Sequence, residues 1–265
     1  MKPTIDPSKF GNWALVTGAS SGIGEGFARK LAAGGLNLVL VARRMELLQA
    51  LGRELSGKHN IQCIVIEGDL TKWEDIQSLV EEVDHLEIGL LISNAGTGDV
   101  GRFLDRNIDD LIDRVHLNAS SHLLLTHHFA KKMAERKKGG ILLTGAMGAV
   151  EGVPYMAAEA ASKGFIQALG KSLHWELREH GIHLTVLVTT PTETAIFFKL
   201  GFTLQNTPVK PISVEQCVDE ALAALVKNRM LVFPGLKFRV MRMLTPESLV
   251  RKMSAGMLKK NNNIQ

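Results

Sequence analysis

Residues 13–24, Trp-Ala-Leu-Val-Thr-Gly-Ala-Ser-Ser-Gly-Ile-Gly, constrain this chain more than any other stretch. The apolar run 14–16 reads as a short buried strand, 17–21 as a tight loop, and 23–33 as a helix with Ile23, Phe27 and Leu31 on one face. A strand that runs through a glycine loop into a helix start makes an anion site. The unpaired N–H groups of the first helical turn and the positive end of the helix dipole point at the same spot. Gly18 permits the sharp turn, Gly22 lets a ligand approach the backbone, and Gly24 lets the helix close on the strand. The spacing is G-x-x-x-G-x-G rather than G-x-G-x-x-G. Its force comes from its place between a strand and a helix at the head of an alternating pattern.

That alternation continues down the chain. Strands are expected at 38–42, 61–66, 88–92, 141–144 and 184–188, each a nearly continuous apolar run. Helices are expected between them at 45–55, 73–83, 103–117, 120–136 and 157–180, and a further helix at 212–227 is followed by a short strand at 231–235. The pattern predicts an α/β fold: one Rossmann domain over residues 1–265, with a doubly wound parallel sheet and helices on both faces. At 45% hydrophobic residues the chain can cover both faces of such a sheet, and no run reaches the ~20 apolar residues that span a bilayer. Two cysteines, Cys63 and Cys217, exclude a disulfide scaffold; with no apolar stretch at the N-terminus they point to the cytoplasm.

The charge is unevenly placed. Of the net +4, residues 235–265 carry +6, with Lys237, Arg239, Arg242, Arg251, Lys252, Lys259 and Lys260 against Glu247 alone. The remainder is therefore −2, which gives no basic surface for nucleic acid across the body of the fold. This Met-rich, basic extension has two readings: a lid or subunit contact, or an interfacial helix on an anionic membrane. Pro246 should break it in two. The stretch 192–210 reads as a loop over the substrate, and Ile196, Phe197, Phe198, Leu200 and Phe202 within it imply a small apolar ligand.

Four motifs together resemble the short-chain dehydrogenase/reductase family. They are Thr17-Gly-Ala-Ser-Ser-Gly-Ile-Gly24, Ser93-Asn-Ala-Gly96 after the fourth strand, Asp69-Leu70 after the third, and Asn118 where that family keeps a helix-kinking asparagine. The resemblance implies a nicotinamide dinucleotide held by Gly18, Ser20, Ser21, Gly22, Ile23, Gly24, Arg43, Arg44, Asp69, Leu70, Asn94, Ala95 and Gly96, with Lys163 on the nicotinamide ribose. Family members usually pair into dimers or tetramers through the helices here expected at 120–136 and 157–180. The second strand ends in Ala42-Arg43-Arg44 with no acid, which favours NADP over NAD, because guanidinium groups suit a 2′-phosphate.

The resemblance fails where the family does its chemistry. The family's tyrosine stands four residues before its lysine, and Glu159 occupies that place before Lys163. The family's serine falls on Ala146, and its Pro-Gly pair facing the nicotinamide falls on Thr189-Thr190. Glu159 reads either as an i,i+4 ion pair with Lys163, with its pKa lowered by the ammonium, or as a general base. Tyr155, the chain's one tyrosine, reads as a loop aromatic or as a phenol reaching the pocket. With Lys163 and Asn118 these are the candidates for proton chemistry. No metal is expected; among His116, His122, His127 and His128, His122 lacks a Cys or acidic partner at ligand spacing. The readings that follow are an NADP-dependent oxidoreductase on an apolar carbonyl or alcohol with an atypical site, a redox-silent NADP-binding or sensing protein, and an isomerase or lyase using Glu159.

Overall fold

The computed structural model of the chain describes residues 5, 7–205, 207 and 209–264. The chain runs α1 (Pro7–Phe10), β1 (Trp13–Thr17), α2 (Gly22–Ala33), β2 (Asn37–Ala42), α3 (Met45–His59), β3 (Cys63–Glu67), α4 (Trp73–Glu82) and β4 (Ile88–Ser93). It continues α5 (Ile108–Val115), α6 (Ser121–Glu135), β5 (Gly139–Ala146), α7 (Ala157–Arg178) and β6 (Ile182–Thr189). It ends α8 (Ala195–Lys199), α9 (Val214–Val226), β7 (Leu231–Val232), α10 (Leu236–Leu244) and α11 (Glu247–Asn261). The strands form one seven-stranded sheet in the order β3-β2-β1-β4-β5-β6-β7, every neighbouring pair parallel.

The inner strands are buried on both faces, so their side chains feed two cores, while the edge strand β3 is only half-buried. On one face Phe27, Leu31, Leu48, Leu222 and Leu225 bring in α2, α3 and α9. On the other, Ile76, Leu79, Phe129, Met133 and Ile166 bring in α4, α6 and α7. The strand order reverses between β1 and β4, and in such sheets the crevice at the carboxyl ends of the strands lies there. Thr17 joins the two strand ends: its Oγ1 accepts the Asn94 and Ala95 N–H groups, both at 2.9 Å.

Three local features depart from the expected elements. The third strand begins at Cys63, not 61, because its register is set by pairing Leu38 with Cys63 while Ile61 is buried in the preceding loop. The helix expected over 103–117 starts only at Ile108, where Asn107 Oδ1 accepts the Asp109 N–H at 2.7 Å and caps it. The expected break before 120 is instead a π-helical turn, His116–Ser120, joining α5 to α6. Pro246 does separate α10 from α11. Residues 206 and 208, within the expected covering loop, lie outside the described residues, as do 1–4 and 6 of the N-terminal stretch and residue 265.

Candidate functional site

The glycine turn has the backbone its sequence demands. Gly18 and Gly22 lie at φ of 66° and 58°, the left-handed region. A Cβ on Gly24 would lie 2.2 Å from the Gly18 carbonyl oxygen, so only glycine lets α2 start so close to the strand end. Ser21, extended at φ −170°, places no side chain over the first turn of α2, which leaves those N–H groups facing the cleft. Arg44 closes over the same turn. Its Nη2 donates to Ser20 Oγ and Ser21 Oγ, both at 2.8 Å, and its Nε to Ser20 Oγ at 3.2 Å. Arg43 beside it is exposed. Guanidinium, hydroxyls and helix N-terminus together make a cation-rich anion cradle, and the donor set fits the phosphates of NADP.

One cavity of about 1040 Å³ runs from this cradle across the sheet ends. Gly18, Ser20, Ser21, Gly22, Ile23, Arg43, Arg44, Asp69, Leu70, Asn94, Ala95, Gly96 and Lys163 all line it. Gly24 stands behind the wall as a packing residue. Asn118 also stands back: its side chain exchanges two 3.0 Å hydrogen bonds with the Thr97 backbone and holds the strand β4 exit against the π turn. A Cβ on Gly96 would meet Asn118 Oδ1 at 2.9 Å and Lys163 Nζ at 3.0 Å, so these three groups share one tight corner.

The side chains at the far end do not pair as the sequence spacing suggested. Lys163 donates to the Thr144 carbonyl at 2.9 Å, not to Glu159. It sits at the inner wall of the cleft, and removal from bulk water draws its pKa down to about 8. Glu159 also lines the cavity, and its Oε1 accepts from Arg114 Nη1 of α5 at 3.4 Å. Arg114 Nη2 in turn meets Asp99 Oδ2 at 3.1 Å, which also pairs with Arg106 at 2.9 Å. The expected lowering of the Glu159 pKa is therefore corrected. Burial raises it, against the smaller opposing pull of Arg114 and nearby backbone N–H groups. Tyr155 is not among the residues lining the cavity; it lies at φ 66° and its carbonyl accepts the Gly101 N–H at 3.0 Å. Ala146 lines the wall with no hydroxyl to offer, and Thr189 Oγ1 is spent on the Gly145 carbonyl at 3.0 Å.

Two features had no sequence signal. The Arg106–Asp99–Arg114–Glu159 chain joins residues far apart in sequence. His122 is fully buried; its Nδ1 lies 2.8 Å from Ser93 Oγ and its Nε2 2.9 Å from the Ala95 carbonyl. Burial pulls its pKa down to about 3, so it is a neutral brace beneath the Asn94–Gly96 turn. Among the described residues no group of three His, Cys, Asp or Glu is placed to hold a metal. The apolar wall, by contrast, draws on the Phe-rich loop and Met-rich extension marked in the sequence: Met147, Val153 and Met156 line the cavity together with Phe197, Phe202, Phe238, Met241, Met253 and Met257. It brings the covering loop and the C-terminal helices over one space.

A nucleotide-sized crevice at the switch point of a parallel sheet, with this glycine turn, defines a dinucleotide-binding α/β protein. The family model for short chain dehydrogenase matches residues 12–202, and the chain belongs to that family. Over 193 residues it is 36% identical to a very-long-chain 3-oxoacyl-CoA reductase of Neurospora crassa, covering 71% of this chain and 58% of that one. It is 29% identical to the human protein named inactive hydroxysteroid dehydrogenase-like protein 1, covering 68% of this chain and 56% of the other. The matches thus span somewhat over half the length of these curated relatives. Among solved structures it resembles a short-chain dehydrogenase from Sphingobium yanoikuyae in complex with NADPH, at 27% identity and a TM-score of 0.79, covering 87% of this chain and 92% of that one.

Proposed function

We propose that the chain is an NADP(H)-dependent oxidoreductase of this family that takes a bulky apolar carbonyl or alcohol and handles its proton by an atypical route. The carrying observation is the continuity of the cavity. One space holds the Arg44–Ser20–Ser21 cradle at one end and a wall of methionines and phenylalanines at the other, with Lys163 between them. Its size suits a dinucleotide and an apolar substrate lying end to end. Relatives named for a very-long-chain 3-oxoacyl-CoA substrate accord with an elongated apolar ligand.

The residues that would hold the dinucleotide are Ser20, Ser21, Gly22, Ile23, Arg43 and Arg44 at the phosphates, Asp69 and Leu70 at the adenine, and Asn94–Gly96 with Lys163 at the nicotinamide ribose. When bound, the nicotinamide supplies or accepts the hydride. The chain must then move one proton at the substrate oxygen. Lys163 is the lining group whose proton is loosened into working range: with a pKa of about 8 it is half-protonated at pH 8. Glu159 also lines the cavity, with its pKa raised by burial and its Oε1 3.4 Å from Arg114 Nη1, so a base role in an isomerase or lyase stays as an alternative reading. A second reading keeps its own observation. Neither the 146 nor the 159 position offers a hydroxyl, and that favours a redox-silent NADP-binding or sensing protein. We further propose that subunits pair through α6 and α7, where Leu123, Phe165 and Trp175 are exposed.

A fluorescence titration with NADPH and NADH, followed by long-chain and bulky ketones, tests the assignment. NADPH binding tighter than NADH, lost in Arg44→Glu by about tenfold or more, with ketone-dependent loss of the reduced cofactor's absorbance, is the expected result. Binding without turnover moves the assignment to the redox-silent reading. Binding of neither cofactor overturns both.

A further inference from the structure

The C-terminal helix α10 carries two apolar faces, and the cavity accounts for only one. Phe238 and Met241 point inward and line the cavity. Leu236, Val240, Met243 and Leu244 follow at i, i+4, i+7 and i+8, which places them on a single outer stripe. They are 66%, 45%, 85% and 77% exposed. Isolated exposed leucines are ordinary on a protein surface, but a continuous helical stripe of four is a patch that something covers.

The stripe does not stand alone. Leu249 and Met253 of α11 line the cavity and yet are 47% exposed each, so they mark where it opens to the outside. Ile196 of α8 also both lines the cavity and is exposed, and Phe198 beside it is half in solvent. Asn262 Nδ2, just past α11, donates to the Leu200 carbonyl at 3.1 Å and ties that rim to the one formed by α8. The apolar cavity thus opens through an apolar rim that merges with the outer stripe of α10.

The charge around this rim selects its partner. Lys237, Arg242, Arg251, Lys252, Lys259 and Lys260 are exposed on the same two helices. Residues 235–265 carry +6 while the rest of the chain carries −2. Arg242 stacks on Phe233 at 4.2 Å, which fixes its guanidinium beside the stripe. A second copy of this chain docking through the same face would set these cations against one another. A stripe of Leu, Val and Met flanked by cations matches the boundary between acyl chains and anionic headgroups.

We infer that the outer face of α10, with the exposed rims of α8 and α11, docks on an anionic lipid bilayer, and that the cavity's apolar ligand passes between bilayer and pocket through this rim. The docking stands on exposure and charge alone; the ligand route rests on the apolar-substrate reading above. The contact is peripheral, since among the described residues no helix is long and apolar enough to cross a membrane.

The test is co-sedimentation of the full chain with phosphatidylcholine vesicles and with vesicles containing phosphatidylglycerol, alongside the triple variant Leu236→Glu, Met243→Glu, Leu244→Glu. None of these residues lines the cavity, so NADPH titration checks that the variant is folded. The expected result is binding to the anionic vesicles only, weakened by salt, and reduced at least tenfold in the variant with NADPH affinity unchanged, a loss of about 1.4 kcal/mol or more. Absence of binding to anionic vesicles overturns the proposal, as does equal binding by the variant. A variant that instead falls from a larger assembly to a smaller one in sedimentation also overturns it and makes the stripe a subunit interface. Vesicle binding by a chain that fails to bind NADPH would leave the docking intact and remove the oxidoreductase reading.

Discussion

At the dinucleotide end of the cleft the shape is made by backbone. Gly18 and Gly22 hold left-handed conformations, Gly24 lies against the Gly18 carbonyl, and Thr17 Oγ1 gathers the Asn94 and Ala95 N–H groups. At the substrate end, β5, α7 and β6 are regular elements, and the cavity is shaped by the side chains they and their ends carry, Ala146, Glu159, Thr189 and Thr190 among them. The difference teaches how such a protein is altered. A backbone-built site changes only by disturbing β1, α2 and β4 together, whereas a side-chain-built site is rewritten one residue at a time on an unmoved scaffold.

The largest effect should come from writing the missing groups back. In the double variant Ala146→Ser, Glu159→Tyr, a phenol on α7 one turn from Lys163 and a hydroxyl at the end of β5 would supply a proton donor to the substrate oxygen. A positioned acid is worth ~10²–10⁴ in rate, so ketone-dependent NADPH oxidation should rise by about that factor over the unaltered chain. No rise in a variant that still binds NADPH would mean that the substrate end has been reshaped as well as stripped, and the comparison would fail on that side.

The backbone side breaks differently. Gly24→Ala puts a Cβ 2.2 Å from a carbonyl oxygen that cannot yield without moving β1, and it should cost ~3 kcal/mol or more in a denaturation experiment. Gly35→Ala is the control. Gly35, unlike Gly24, lies in the left-handed region, at φ 85°, and nothing stands within 4 Å of the added carbon. It should cost only about 1 kcal/mol. Equal costs would show that close approach at Gly24 weighs no more than a left-handed φ alone, and that the turn yields more easily than its contacts imply.

The same division explains what could be read in advance. The glycine turn was legible because left-handed φ angles and sub-van-der-Waals approaches admit one residue type, so composition reports geometry. The parallel sheet was legible from its unbroken apolar strands, and the break in the C-terminal helices from Pro246. The partner of Glu159 was not. The i,i+4 spacing pointed to Lys163, but Lys163 is drawn inward to the Thr144 carbonyl, and Arg114 comes from 45 positions away on α5. Nothing in the sequence of α5 marks Arg114 as a reaching side chain, because a pairing between elements depends on how they cross. The left-handed backbone of Tyr155 was not legible either, because a non-glycine residue gives no sign of that conformation.

The smallest effect concerns Glu159 itself and tests which force governs it. Burial raises its pKa above the ordinary carboxylate value of 4.5, so the folded chain keeps this proton at a pH where the unfolded chain has released it. Its contribution to stability is then full below 4.5 and is lost as pH rises through the folded value. Glutamine carries the shape of the protonated acid at every pH. Glu159→Gln should therefore match the unaltered chain near pH 4 and melt higher by ~2 °C at pH 7.5, a gain of under ~1 kcal/mol. Arg114 keeps Asp99 as its partner at 3.1 Å, so the substitution strands no bare cation. A lower melting temperature at pH 7.5 would mean that the 3.4 Å pair with Arg114 outweighs burial. Glu159 would then be a strut of the substrate end, and restoring tyrosine there would cost stability as well as change chemistry.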